Sequence, residues 1–371
     1  MDFGTDGRLT ELRQSGYRAG RKLAKQSLTA RTRKARWGTD LLDALARESV
    51  LGIALPAEYG GQGATVLETV FFLEGFGAGS GDMGLSTAIA THGVLCGLPI
   101  AVLGSASQRE RYLPGMVSGA RFGAVARATV DDSAVSPAQI VKVGSGKRLD
   151  ARYTGVVNAR EAKHFLVIAD SGREQTACIV DRNSAGLTVR TGHTAASATP
   201  PTFLVAELEL NNCHVPARAQ LGSGDIAGVE VVPLLAALER TCLMAPWLGL
   251  LRELSGWAVK LVSDHPALMR SQSARMAVAD LRAQTELAAG LLYRAAWQID
   301  APGRPSRQDS AVAKLFLLEA LNAAARTAAE LDSCSPRGIP APGWLDMVLF
   351  SARGGDSVLR SVVAGSMLAS G

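Results

Sequence analysis

Apolar residues recur along this chain with two different periods. Between 37 and 118 the spacing is helical. Leu41, Leu42, Leu45 and Leu51 mark one stripe, and Val66, Val70, Leu73 and Phe76 mark another, preceded by the turn-forming Gly60-Gly61-Gln62-Gly63. Between 119 and 222 the texture changes to short β-branched runs: IVKVGSG, FLVIAD, ACIVDRN, LTVRTG and FLVAELEL. Gly, Asn, Asp and Pro separate them, which predicts a small, barrel-like antiparallel β-domain. From 226 onward helical periods return. Residues 231–262, 270–299 and 308–331 each predict a helix, with Asp300-Ala301-Pro302-Gly303 as a breaker. Pro246 falls inside the first of these and predicts a kink there. The fold class is therefore α+β. A basic segment (1–36) precedes an N-terminal helical domain (37–118), a central β-domain (119–222) and a C-terminal helical bundle (223–371).

Composition adds bounds. The chain has 371 residues, enough for two or three domains that each bury a core. Hydrophobic residues make up 47%, and no run of 18 apolar residues lacks a charge, so no membrane span is expected. The start, MDFGTDGRLTELRQ, has no apolar leader core. Five cysteines (Cys96, Cys178, Cys213, Cys242, Cys334) are odd in number and show no CxxC or Cys/His spacing. That points to a reducing, cytoplasmic setting with no zinc site and no disulfide framework.

Charge is uneven. Residues 1–36 carry ten Lys/Arg against Asp2, Asp6 and Glu11, a balance of +7 in a chain whose net charge is +5. The ordinary reading is a solvated helix or arm. The sharper one is a docking surface for an acidic partner. Few aromatics interleave the cations, which argues against nucleic acid and leaves an acidic carrier protein as the expected partner.

Five segments, in order, resemble the acyl-CoA dehydrogenase family: GIALPAEYGGQG (52–63), SQRERYLPGMVSGARFGAVA (107–126), AGLTV (185–189) with LELNNCHVPARAQLG (208–222), YRAAWQID (293–300), and AVAKLFLLEA (311–320). The resemblance runs from about residue 38 to the end. The run Glu239-Arg240-Thr241-Cys242 resembles members that act on carrier-bound acyl groups in secondary metabolism. The resemblance implies a C-terminal four-helix bundle, an acyl-thioester substrate and an oligomer, either a homodimer or tetramer or a heteromer with a second family member.

In that chemistry a carboxylate takes the α-proton of the thioester while the β-hydrogen leaves as hydride to flavin. The resemblance implies two positions for the base. At one this chain has Gly354, which has no side chain to take a proton; at the other it has Glu239, with Arg240 beside it. The alternative reading of Glu239 is a carboxylate engaged in a structural ion pair. His92 and Pro246, with Gly354, fall where the family lines its acyl cavity.

Four segments that the resemblance assigns to the flavin depart from the family pattern. Arg127-Ala128-Thr129-Val130-Asp131-Asp132-Ser133 lacks the loop glycines, with Thr129 as its remaining ring contact. Gly155-Val156-Val157-Asn158 keeps only Asn158. Leu261 to Pro266 and Asp332 to Pro336 carry acids where arginine and glycine are expected. The expectation is a protein without bound cofactor that uses Glu239 for non-redox acid/base work at the α-carbon: dehydration, isomerisation or cyclisation. Two alternatives stand beside it. One is a non-catalytic subunit of a heteromeric enzyme; the other is an FAD-dependent dehydrogenase with unusual flavin contacts.

Overall fold

In the computed structural model, the described residues are 7–32, 39–127, 137–172, 175–190, 205–222, 227–301, 307–333 and 356–368. The predicted positions Thr129 and Gly354, with Asp131, Asp132 and Cys334, lie outside them. In chain order the helices are α1 (Gly7–Thr32), α2 (Thr39–Arg47), α3 (Val66–Ser80), α4 (Met83–Ala90), α5 (Leu98–Leu103), α6 (Ala106–Val117), α7 (Ala227–Thr241), α8 (Ala245–Asp264), α9 (Pro266–Arg270), α10 (Gln272–Asp300), α11 (Arg307–Ser333) and α12 (Asp356–Leu368). A π-helix, Thr91–Gly97, joins α4 to α5. The strands are β1 (Gly123–Arg127), β2 (Gln139–Val143), β3 (Gly146–Val157), β4 (His164–Asp170), β5 (Gln175–Asp181), β6 (Leu187–Arg190) and β7 (Val205–Val215).

The chain forms two compact units that do not follow sequence order. One comprises residues 1–24, 66–83 and 240–371; the other comprises 25–65 and 84–239. The first is helical. Here α3 packs against α8 and α10, and α10 packs against α11, so a helix from the N-terminal third joins those of the C-terminal bundle.

Glycines set how closely α3 is flanked. A Cβ on Gly75 would sit 1.9 Å from the Arg13 carbonyl oxygen, and one on Gly16 would sit 2.0 Å from that of Phe72. On its other side α3 meets α8, where a Cβ on Gly249 would lie 2.1 Å from the Glu74 carbonyl. The buried face of α1, with Leu9, Gly16, Ala19, Gly20 and Leu23, leaves Arg18, Arg21 and Lys22 on its exposed face. Gly75→Ala should therefore destabilise the protein by about 1–3 kcal/mol, since the backbones must separate. Gly290, exposed on α10, is the control, because a Cβ there would meet no atom within 4 Å. Gly290→Ala should stabilise by about 0.5–1 kcal/mol through helix propensity. Urea denaturation of both variants checks the pair.

The sequence predicts one helix over 231–262. The structure breaks it after Thr241 and starts α8 at Ala245, placing Pro246 in the first turn of α8. Proline costs nothing at that position because the amide there has no helical partner. Pro246 is buried under Gly77 of α3, where a Cβ would meet the Pro246 Cα at 2.4 Å. It therefore makes a helix contact. The expected kink within one helix is corrected to a break just before the proline.

The second unit holds two sheets. One has the order β1-β4-β5 and the other β2-β3-β7-β6. Every pair is antiparallel except β1 with β4, which run parallel. This exception to the antiparallel reading follows from the long excursion through β2 and β3 between them, since parallel neighbours need a crossover. β4 (HFLVIAD) is buried at six consecutive positions, as its continuous apolar run requires. Leu149, Tyr153, Phe165, Val167, Val180 and Leu208 build the core between the sheets. β3 is bulged against β7 at two points, and Gly155 takes φ +60° at the second.

Two helical stretches, Met83–Leu103 and Glu230–Asp264, are apolar enough by composition to cross a membrane. Buried shares of 83% and 72% mark them as core helices.

Candidate functional site

The second unit brings Glu239 to the end of β1. Val232, Leu235 and Glu239 fall at i, i+3 and i+7 of α7, on one helix face. Val232 and Leu235 line a cavity of about 100 Å³ together with Arg127, Ile168, Asp170 and Gln175. Arg127 ends β1 and its guanidinium pairs directly with the Glu239 carboxylate. Both side chains are about one-third exposed, at 32% and 28%. Asp170 accepts from the Gly172 amide and from Gln175 Nε2, both at 2.7 Å. Its charge is thereby held at the cavity wall.

This ion pair defines what the site can do. An ionised glutamate with one flank against a guanidinium keeps lone pairs for a proton. A guanidinium has five N–H donors in a fixed fork, so Arg127 can hold Glu239 and still donate to a carbonyl oxygen. A carboxylate that can accept a proton and a guanidinium with donors to spare thus stand side by side. Arg240, the other predicted catalytic residue, is not part of it. Its Nη1 donates to the Arg307 carbonyl at 3.4 Å, as expected of adjacent helix positions that point in different directions.

The remaining predicted residues have internal roles. His92 sits in the π-helix, fully buried, with its ring stacked on Phe122 at 4.4 Å. Nδ1 accepts from the Gly123 amide at 2.9 Å, so the proton is on Nε2, which donates to the Met116 carbonyl at 3.1 Å. Burial pushes its pKa down to about 4, so the ring is neutral. With both nitrogens engaged inside the protein, His92 pins the π-helix to β1. Asn158 takes φ +67°, a region asparagine tolerates, just after β3. Its Nδ2 donates to the Ala88 and Gly123 carbonyls at 2.9 and 3.4 Å. Its amide protons are committed to the fold, which corrects the reading of Asn158 as a flavin contact through that group.

The four described cysteines are buried, and burial raises each thiol, those of Cys96, Cys178 and Cys242 to about 12. None is a thiolate nucleophile. Among the described residues no group of His, Cys, Asp and Glu is arranged to hold a metal ion.

Sequence reasoning missed Arg127 as a site residue. It lies 112 residues from its partner, and the one available signal was a lone arginine closing an otherwise apolar strand. It also missed the role of Gln108. This buried side chain donates to the Arg218 and Gln220 carbonyls at 3.0 and 2.8 Å, tying α6 to the turn after β7.

Residues 11–120 match the family described as "Acyl-CoA dehydrogenase, N-terminal domain", and residues 227–350 match "Acyl-CoA dehydrogenase, C-terminal domain". The chain belongs to the acyl-CoA dehydrogenase family. It is 30% identical over 287 residues to the L-prolyl-(peptidyl-carrier protein) dehydrogenase of Pseudomonas fluorescens, covering 73% of each chain. Among solved structures, PigA with FAD and proline superposes with a TM-score of 0.87 at 22% identity over 100% of both chains. The prolyl acyl carrier protein oxidase AnaB gives 0.84 at 23% identity, over 98% of this chain and 99% of that one. At such identities these two likenesses establish the fold.

Proposed function

We propose that this protein is an FAD-dependent dehydrogenase of an acyl thioester borne by a carrier protein, an aminoacyl thioester such as prolyl in the first instance. The observation that carries the reading is the Arg127–Glu239 pair at the end of β1. Glu239 takes the α-proton, and Arg127 holds the carboxylate and donates to the thioester carbonyl as negative charge develops on it. FAD, when bound, accepts the hydride that leaves the substrate. Val232 and Leu235 supply the apolar wall of the small cavity that Arg127 also lines.

Two observations bear on the flavin. Gly155, near the end of β3, is exposed and a Cβ there would meet no atom within 4 Å, so no neighbouring side chain fills the space beside it. The last turn of α8 offers no guanidinium to a phosphate: Asp264 is exposed and His265 Nδ1 is bonded to the Leu261 carbonyl at 2.8 Å. The pyrophosphate must be met by other groups. The flavin-free expectation draws no support from the relatives, one of which was solved with FAD. The dehydrogenase named for carrier-bound L-proline supports the choice of substrate. The exposed cations of α1, Arg18, Arg21 and Lys22, offer an acidic carrier protein a complementary surface.

The test is mass spectrometry of prolyl-loaded peptidyl carrier protein after incubation with the FAD-supplemented enzyme. A product lighter by two hydrogens or a multiple of two is expected. A product of unchanged mass, or one lighter by water, supports the non-redox reading instead.

A further inference from the structure

A second cavity lies at the opposite end of β1. Gly123 pairs with His164, and His164 pairs with Asp181, so the end of β5 marks the start of β1. Four residues of strand separate that end from Arg127, roughly 13 Å. Here the first turns of α6, the end of β5 and the residues after β7 enclose about 410 Å³. Ser107, Arg111, Tyr112, Asp181, His214 and Arg218 are among its polar groups.

The charges do not balance. Asp181 is the one acid in the lining, and it serves two guanidiniums: Arg111 pairs with one carboxylate oxygen and Arg121 Nη2 lies 3.2 Å from the other. Both guanidiniums also lie over the Tyr112 ring, at 5.4 and 5.3 Å. Arg218 faces them across the cavity. It is exposed and its guanidinium pairs with no acid among the described residues. In the lining, Arg111 and Arg218 against Asp181 leave an excess of one positive charge, and Arg121, outside the lining, shares the same carboxylate. The positive end of the 12-residue helix α6, capped by Ser105, opens on the same space.

The walls are fixed in place. Gln108 is 6% exposed. Its Nε2 bonds to the carbonyls of Arg218 and Gln220, and its Oε1 accepts from the Ser105 amide at 2.9 Å. The separation between α6 and the backbone of Arg218 is therefore set before any ligand arrives, and a preorganised site loses less entropy on binding.

We propose that this cavity binds a phosphate-bearing ligand. A phosphate ester is negatively charged, opposite to that excess, and its oxygens suit guanidinium donors such as those of Arg111 and Arg218. The volume admits more than a bare phosphate, so the group is the phosphate of a larger molecule. A nucleotide and a pantetheine phosphodiester share that chemistry. The cavity is separate from the Arg127–Glu239 site, and the proposal stands whether or not the assigned reaction is correct.

The test is isothermal titration calorimetry on the full-length, FAD-supplemented protein with three probes: inorganic pyrophosphate, ADP and 4′-phosphopantetheine. Saturable binding of pyrophosphate at one per chain is expected. Arg218→Ala, with circular dichroism confirming its fold, should weaken it about tenfold or more. Rising salt should weaken it further, and Glu239→Gln should leave it unchanged. Tighter binding of ADP names a nucleotide as the ligand, and tighter binding of 4′-phosphopantetheine names a carrier-borne group. The proposal is overturned if none of the three binds saturably, or if Arg218→Ala binds as the parent does.

Discussion

Glu239→Gln should lower kcat for dehydrogenation of a carrier-bound aminoacyl thioester by about 10²- to 10⁴-fold, the usual contribution of a positioned general base. The substitution keeps the size of the side chain and its ability to accept from Arg127, so α7 should stay in place against β1. It removes only the affinity for a proton. KM should change little, because the carbonyl is held by Arg127, not by the base. Pre-steady-state rates with substrate in excess report this step directly. An unchanged rate would mean that Glu239 is a structural partner of Arg127 alone, and the base would then have to be sought outside the described residues.

Arg252→Ala should cost about 3–5 kcal/mol of stability, the usual penalty for stranding a buried charge. Glu74, on α3, is 1% exposed. Arg252 Nε donates to its Oε1 at 2.6 Å, and the Tyr293 hydroxyl donates to its Oε2. Arg252 also reaches Glu286 at 3.0 Å and the Tyr293 oxygen at 3.2 Å, so one guanidinium ties α8 to both α3 and α10. Arg13 approaches Glu74 only to 3.6 Å and cannot replace it. Without Arg252 the buried carboxylate keeps the Tyr293 hydroxyl and only the looser Arg13 pair at 3.6 Å. Urea denaturation measures the loss. Glu74→Gln in the same background should recover part of it, since the amide still accepts from Tyr293 and carries no charge to strand. If the double variant is no more stable than Arg252→Ala, the penalty is not electrostatic.

Sequence patterns located the helices and strands because each follows a local period. Val66, Val70, Leu73 and Phe76 needed only helical spacing to mark α3. What local pattern could not give was contact at long range. The glycines at 75, 77 and 79 read as weak helix formers, and only the packing of α1 and α8 shows why side chains are excluded there. The break between α7 and α8 was hidden because the apolar run continues through Leu243 and Met244, and Pro246 looked like a kink when it begins a helix. The parallel β1–β4 pair cannot be read from strand composition either.

The candidate site was half legible. Glu239 stood out by its place in a recognisable run, but its partner lies on a strand more than a hundred residues away. Counting flavin-facing side chains leaves part of any cofactor cradle uncounted, for a physical reason. Much of the cradle for a nucleotide is backbone N–H, which every residue but proline supplies. His92 and Asn158 show the converse. Both are polar and conspicuous in sequence, yet the fold uses them as internal struts.

The most direct measurement is the visible spectrum of the purified, FAD-incubated protein under anaerobic conditions, before and after adding prolyl-loaded carrier protein. The account predicts flavin absorption at about one per chain and its bleaching within a single turnover as hydride is transferred. A folded protein that takes up no flavin, or that holds flavin whose absorption survives turnover of the substrate, would contradict it.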